Sequence, residues 1–272
     1  MITEAVILAG GLGTRLGALT RETPKPLLPV AGIPFLGHLL NHLATVGIRR
    51  AVLATGHLSW KFEQTLGREF AGIPLVYSCE ETPLGTGGAI AKAIREHCVS
   101  GRILVLNGDT FFPISPQTLE AQMGDEGRNK EEAPATFPKT AENGVGKRQP
   151  PIAVLALRRV PDPTRYGSVE LRDGRILSFK EKHDLITPTP PSAPGLINAG
   201  VYLLARQAFL RTTPDSPAFS LEREWLHPRA TEGLLAGVEV DAYFIDIGIP
   251  SDYRKAQADL AATPVTQHRP RA

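Results

Sequence analysis

A wholly apolar run, Ala5-Val6-Ile7-Leu8-Ala9, breaks directly into Gly10-Gly11-Leu12-Gly13. Five apolar residues without polar alternation, stopped by glycine, predict a strand covered on both faces. Such a strand needs partner strands at its edges and helices above and below it. The chain supplies both in turn. Residues 34–46 place Leu36, Leu39, Leu40 and Leu43 at helical spacing, and Gly47 stops the pattern. Ala51 to Ala54 reads as a second buried strand, Ser59 to Leu66 as a helix opened by a serine cap, and Leu75 to Tyr77 as a third strand. Gly87 to His97 reads as a helix entered through a glycine-rich loop, and Ile103 to Leu106 as a strand ending at Asn107-Gly108-Asp109. This alternation predicts an α/β fold with a largely parallel sheet and helices on both faces. Ligands of such sheets bind beyond the carboxyl ends of the strands, where the glycine loop and Asn107-Gly108-Asp109 both fall.

The second half reads less regularly. After a short helix over 116–123, residues 124–150 are rich in Gly, Pro, Lys and Glu and nearly devoid of large apolar side chains. That composition predicts a mobile surface insertion without a core of its own. Strands are expected at 152–157, 168–171, 176–179, 197–204 and 238–243, with Asp173-Gly174 as a hairpin turn. A proline-rich loop covers 187–194, a closing helix 252–260, and 263–272 reads as a frayed tail. The expected organisation is one domain over residues 1–262 with the insertion at 124–150.

Composition narrows the partners. A net charge of +2 creates no field that would gather nucleic acid or an acidic membrane. No apolar stretch reaches the roughly 18 residues of a membrane span. The N-terminus lacks a basic segment and its apolar run ends at Gly10, unlike a signal peptide. Cys79 and Cys98 form no Cys-x-x-Cys pair, so two reduced thiols in a cytoplasmic protein are expected. The histidines show no metal-ligand spacing. His38 and His42 stand four apart without a neighbouring acid, and a helix surface is the expected place for them.

The loop Gly10-Gly11-Leu12-Gly13-Thr14-Arg15 suits a phosphate. Glycines let backbone N–H groups approach phosphate oxygens, and the arginine that follows adds positive charge. It is not a dinucleotide fingerprint, since Leu16 stands where the third glycine belongs. Nor is it a Walker loop, since no Gly-Lys-Ser/Thr follows. A plain tight turn between strand and helix is the competing reading. In Thr23-Pro24-Lys25-Pro26-Leu27, prolines on either side stiffen the backbone around Lys25 and make it a candidate charge clamp.

Taken together, Leu8-Ala9-Gly10-Gly11-Leu12-Gly13-Thr14-Arg15-Leu16 and Pro24-Lys25-Pro26-Leu27 resemble the signature of sugar-1-phosphate nucleotidyltransferases. The resemblance continues through Pro83-Leu84-Gly85-Thr86-Gly87-Gly88-Ala89, Asn107-Gly108-Asp109, Tyr166-Gly167, Glu181-Lys182, Asn198-Ala199-Gly200 and Asp246-Ile247-Gly248. These motifs keep the family's order over residues 4 to about 260. Asn107-Gly108-Asp109-Thr110-Phe111-Phe112 and the Ile249-Pro250 that follows Gly248 are most similar to the heptose 1-phosphate guanylyltransferase branch, whereas 124–150 resembles nothing in the family. The resemblance implies a Rossmann-like three-layer α/β/α fold of the nucleotide-diphospho-sugar transferase type, with a mixed, mostly parallel central sheet.

It also implies a chemistry. An oxygen of the sugar phosphate attacks the α-phosphorus of a nucleoside triphosphate and pyrophosphate leaves, so the enzyme supplies positioning and charge rather than a nucleophile. The implied catalytic set is Arg15, Lys25 and Asp109, with Asp109 and Asp246 as ligands of Mg²⁺. The implied nucleotide-binding set is Leu8, Ala9, Gly10, Gly11, Gly13, Thr14, Arg15, Lys25, Glu80, Gly85, Thr86 and Gly87. Asn107, Tyr166, Gly167, Glu181, Lys182 and Asn198 would hold the sugar phosphate. Of the two acids Glu80 and Glu81, Glu80 aligns better with the family's base-reading position. A carboxylate there can accept N1–H and the exocyclic amine of guanine, or the single imide N–H of uracil or thymine, so GTP is the first choice. The expected partners are a nucleoside triphosphate and a sugar 1-phosphate. A heptose is the first choice, with mannose, glucose or N-acetylmuramate as alternatives. No nucleic acid or membrane partner is expected, and a homo-oligomer is left open. Two other classes compete on the same fold, a glycosyltransferase and a non-catalytic nucleotide-sugar sensor. The glycosyltransferase lacks an Asp-x-Asp motif here, and a sensor would not need Arg15, Lys25, Asp109 and Asp246 together.

Overall fold

The computed structural model describes residues 2–11, 13–124, 149–180 and 194–261. The expected insertion (125–148 of it), the proline-rich loop (187–193 of it) and the tail from 263 lie outside the described residues, as do Glu181 and Lys182. The first strand, β1, spans Glu4–Leu8. Two 3₁₀ turns follow, Thr14–Thr20 and Lys25–Leu27, then a small hairpin of β2 (Pro29–Val30) and β3 (Ile33–Pro34). Next come α1 (Phe35–Thr45), β4 (Arg50–Thr55), α2 (Trp60–Leu66), β5 (Glu69–Phe70) and β6 (Ile73–Cys79). The first half closes with α3 (Gly85–His97), β7 (Arg102–Asn107), β8 (Thr110–Phe111) and α4 (Pro116–Met123).

β1 lies between β4 and β7, parallel to both, and β6 extends the parallel block beyond β4. The chain therefore leaves β1 to one side for β4 and β6, then returns to the other side for β7. That reversal opens a crevice at the carboxyl end of β1, between Leu8 and Asn107. The strand side chains explain the layers. Ala5, Ile7, Ala51 and Leu53 face one apolar cluster with α1, whose Leu36, Leu39, Leu40 and Leu43 are buried there. Val6, Val52 and Ala54 face a second cluster with Ile90, Ala91 and Ile94 of α3. Both faces are buried, as the unalternating apolar run requires.

The second half adds β9 (Ala153–Val160), the hairpin β10 (Ser168–Arg172) and β11 (Arg175–Lys180), and β12 (Gly195–Ala205). The hairpin turns at Asp173-Gly174, both with positive φ, as predicted. Then come α5 (Arg206–Arg211), a π-type turn at Leu221–Leu226, α6 (His227–Thr231), β13 (Leu235–Glu239), β14 (Ile245–Asp246) and α7 (Pro250–Ala261). β12 joins β7 antiparallel, and β9, β13, β11 and β10 extend the sheet beyond it, so one mixed sheet of ten strands runs through both halves. Its order is β10-β11-β13-β9-β12-β7-β1-β4-β6-β5. This is the Rossmann-like α/β/α architecture with a mixed, mostly parallel core.

Three local expectations need correction. The strand read over 238–243 is two pieces, β13 ending at Glu239 and β14 beginning at Ile245, because β14 leaves the large sheet to pair with β8. Ser59 precedes α2 but makes no side-chain cap bond. His38 is not on a helix surface; it is buried, with Nε2 donating to the Val30 carbonyl at 2.9 Å, and burial pushes its pKa down. Among the described residues no helix is long and apolar enough to cross a membrane. Cys79 is exposed and Cys98 buried, and both are free.

Candidate active site

The crevice holds two cavities that meet at the end of β7. The larger, about 670 Å³, lies on the glycine-loop side and is lined by Leu8, Ala9, Gly10, Gly11, Lys25, Glu80, Gly85, Thr86, Asn107 and Asp109. The smaller, about 380 Å³, is lined by Asn107, Tyr166, Gly167, Asn198 and Asp246. Most of the nucleotide-side residues expected from the sequence thus share one space, and the acceptor-side ones among the described residues share the other. Asn107 and Glu222 border both.

Lys25 stands at the junction. The Pro24 and Pro26 bends and the 3₁₀ turn aim its side chain inward, where Nζ donates to Asp109 Oδ2 at 2.6 Å. Asp109 sits between β7 and β8. β8 pairs with β14, so Asp246 falls opposite Thr110, beside Asp109. Gly108 is required at this bend: its N–H donates to the Leu8 carbonyl at 2.8 Å, and a Cβ would lie 2.6 Å from that oxygen. Asp246 accepts from the Gly248 N–H at 2.6 Å.

Burial, and then the neighbouring Asp109 charge, hold the Asp246 carboxyl above the usual carboxylate range. Two carboxylates that repel each other where the two cavities meet fit a hard divalent cation, which would offset both effects. Among the described residues no cluster of three or more His, Cys, Asp or Glu side chains could hold a metal. A cation here would therefore complete its shell with substrate oxygens and water.

The raised Asp246 pKa carries a stability consequence. A carboxyl whose folded pKa exceeds its unfolded one destabilises the fold when ionised, and the cost disappears as pH falls through the folded pKa towards the unfolded value. Asp246→Asn should raise the melting temperature of the ligand-free protein at neutral pH. The gain should vanish at acid pH, where the wild-type side chain is itself neutral. Thermal melts across pH test this, and a destabilised variant at neutral pH would contradict it.

Glu80 lies beneath the glycine loop. Its Oε2 accepts from the Leu84 N–H at 2.9 Å, and its Oε1 packs so closely that a Cβ on Gly56 would come within 2.7 Å of it. One carboxylate oxygen therefore braces the 80–84 turn. Gly13 has φ +63°, and its carbonyl accepts from the Thr20 hydroxyl. Gly13, Thr14 and Arg15 are not among the residues lining either cavity, and Thr14 and Arg15 are exposed on their 3₁₀ turn.

The second glycine loop also packs against the segment around Phe219. Gly87 and Gly88 N–H groups donate to the Phe219 carbonyl at 3.0 and 3.3 Å, so the N-terminus of α3 is satisfied by protein. Gly87 is buried outside the cavities, and a Cβ on it would overlap the Phe219 ring. Gly87→Ala should thus destabilise the protein by about 1–3 kcal/mol through overpacking. Nucleotide binding by the folded fraction should stay close to wild type. A normal melting temperature with weakened nucleotide binding would show that Gly87 faces the ligand instead. Gly85 and Thr86 do line the cavity, but the Thr86 hydroxyl donates to Glu222 at 2.9 Å and accepts from the Leu221 N–H at 2.8 Å.

On the acceptor side a bulge in β12 between Asn198 and Tyr202 turns Asn198 towards the cavity. Its Oδ1 accepts from the Gly200 N–H at 3.0 Å and its Nδ2 donates to the Tyr202 hydroxyl at 2.8 Å. Gly200, φ +72°, leaves room for Asn107, whose Nδ2 would lie 2.6 Å from a Cβ there. The Tyr202 phenol is fully buried, and desolvation pushes its pKa far up, so it stays neutral. Tyr166 packs edge-on against Phe244 at 5.6 Å. The Gly167 N–H donates to the Pro163 carbonyl, so that donor is committed to the loop.

Sequence reasoning missed the π-type turn and its Glu222 and Arg223, which border the acceptor cavity. A signal existed. Ser220 caps the turn by accepting from the Arg223 N–H, while Glu224 reaches back to the Ser220 N–H at 2.7 Å. That is a capping box with one extra residue, inserted by the wide turn.

The fold is an α/β enzyme fold with a crevice at the carboxyl end of its central strands, and a lysine and two carboxylates meet at the rim of that crevice. The sequence model of the Nucleotidyl transferase family matches residues 4–263, and the chain belongs to that family. It is 37% identical over 257 residues to a D-glycero-alpha-D-manno-heptose 1-phosphate guanylyltransferase of Aneurinibacillus thermoaerophilus, covering 94% of this chain and 98% of the relative. A Campylobacter jejuni protein of the same description is 34% identical over 92% of this chain and 96% of its own. The crystal structure of HddC from Yersinia pseudotuberculosis, complexed with GMP-PN, superposes with a TM-score of 0.74 at 28% identity, over 94% of this chain and 99% of that one.

Proposed function

We propose that this enzyme transfers GMP from GTP to a heptose 1-phosphate, releasing pyrophosphate, in the cytoplasm and with Mg²⁺. The observation that carries the reading is the placement of Lys25, Asp109 and Asp246 where the two cavities meet. A triphosphate in the larger cavity and a sugar phosphate in the smaller would bring nucleophile and α-phosphorus together there. The relatives at 37% and 34% identity support the guanine and heptose assignments.

The roles follow from position. The glycine loop presents backbone N–H groups to the triphosphate, and Arg15 and Lys25 stabilise charge that builds on the departing pyrophosphate. Thr14 and Arg15 would have to close onto the phosphates, since they stand outside the cavity without substrate. The unbraced oxygen of Glu80 accepts from guanine. Asn107, Tyr166, Gly167 and Asn198 orient the sugar, with Glu181 on its hydroxyls and Lys182 on its phosphate. Asp109 and Asp246 would hold Mg²⁺, which supplies charge neutralisation on the phosphates.

The test is pyrophosphate release with Mg²⁺, pairing GTP, dTTP, UTP, CTP and ATP with heptose, mannose, glucose and N-acetylmuramate 1-phosphates. The heptose–GTP pair should give the highest kcat/KM. Another pair in first place would overturn the substrate assignment while keeping the reaction. Nucleotide binding with no release across the panel would instead support the sensor.

A further inference from the structure

The acceptor cavity has an unbalanced charge. Asp246 and Glu222 line it, and a sugar 1-phosphate entering it is itself an anion. Among the described residues on its wall, Arg223 is the sole lysine or arginine. Neighbouring cations are engaged elsewhere: Lys25 with Asp109, and Arg165 with Asp252 at 2.7 Å. His227 also lines the wall, but its Nε2 donates to the Phe179 carbonyl at 2.7 Å.

Arg223 is exposed, and its guanidinium has no ion-pair partner among the described residues. Its backbone, in contrast, is tightly held. The Ser220 hydroxyl caps its N–H, Glu222 accepts from the Thr86 and Ser220 hydroxyls, and Trp225 is wholly buried. A π-type turn is a rare conformation found disproportionately at functional sites. Here it keeps a charged side chain at the cavity while its neighbours on both sides are fixed.

We propose that Arg223 binds the phosphate of the acceptor sugar and helps select a phosphorylated acceptor, a role that rests on the reaction proposed above. A guanidinium can take two phosphate oxygens at once, which fixes the orientation of the attacking oxygen as well as its charge. Arg223 thereby adds a second cation to the Lys182 expected from the sequence.

Steady-state kinetics on the full chain, varying acceptor and GTP separately, provide the test. Arg223→Ala should raise the acceptor KM about 10- to 100-fold, the range of a lost charged hydrogen bond. The GTP KM should stay within about two-fold and the melting temperature should not change. Arg223→Lys should recover part of the loss, because it restores charge without the fork. An unchanged acceptor KM in Arg223→Ala, beside an active wild type, would overturn the role of Arg223 alone. An equal rise in both KM values would assign it to the structure of the turn and overturn the proposal too. A wild type inactive towards every sugar 1-phosphate would overturn the underlying reaction, and this inference with it.

Discussion

Asp109→Asn is expected to lower turnover by about 10³-fold or more while the protein remains folded. Asp109 makes two contributions that asparagine cannot. It is the ionic partner of Lys25 at 2.6 Å, and it is one of the two carboxylates proposed above to hold a divalent cation. Charge stabilisation by a bound metal is worth several kcal/mol, and each 1.36 kcal/mol is a factor of ten in rate. A loss of about 4 kcal/mol therefore gives the expected factor. The fold should tolerate the change, because the backbone carbonyl that accepts from the Ile247 N–H is untouched and repulsion with Asp246 is relieved. Pyrophosphate release with saturating substrates, alongside a thermal melt, measures both parts. A rate within about ten-fold of wild type would remove Asp109 from the charge machinery.

The largest stability effect is expected at Trp225. It is fully buried, stacks edge-on with Phe209 at 4.8 Å, and donates Nε1–H to the Thr212 hydroxyl at 3.0 Å. Trp225→Ala should cost about 3–5 kcal/mol, from lost transfer energy and the cavity left behind. For a chain this size that lowers the melting temperature by about 10 °C. Because the same turn carries Glu222 and Arg223, the acceptor KM should also rise in the fraction that stays folded. Trp225→Phe separates the contributions. It keeps most of the ring contact and loses the hydrogen bond, so it should cost about 1 kcal/mol for that bond plus some packing. Chemical denaturation of both variants checks the ranking. Equal, small losses would mean that the turn is held from elsewhere.

Much of the first half was legible because its signals are local. An unbroken apolar run means burial on both faces, leucines at helical spacing mean one helix face, and glycines after a strand mean a turn. Those rules located β1, α1, β4, α3 and β7 and placed the glycine loop and Asp109 at strand ends. The glycines of the second loop show the limit. Gly10 and Gly85 line the larger cavity, while Gly87 is small to admit the Phe219 ring. The partner lies 132 positions along the chain, so no local pattern distinguishes the two uses. The break at 240–244 was invisible for a similar reason. β14 forms against β8, and that pairing is what puts Asp246 beside Asp109.

The sequence by itself determined the α/β class, the position of the crevice and the residue types proposed to meet phosphate. Each of those follows from burial periodicity and backbone freedom, which act over a few residues. Only the tertiary structure decided which side chains share a cavity. It brought Lys25 to Asp109, lifted the Asp246 pKa, committed Thr86 to Glu222, and exposed Arg223 on the acceptor wall. Those outcomes depend on distances between residues far apart in the chain. Electrostatic and packing energies fall off over a few ångströms of space, whatever the separation in sequence.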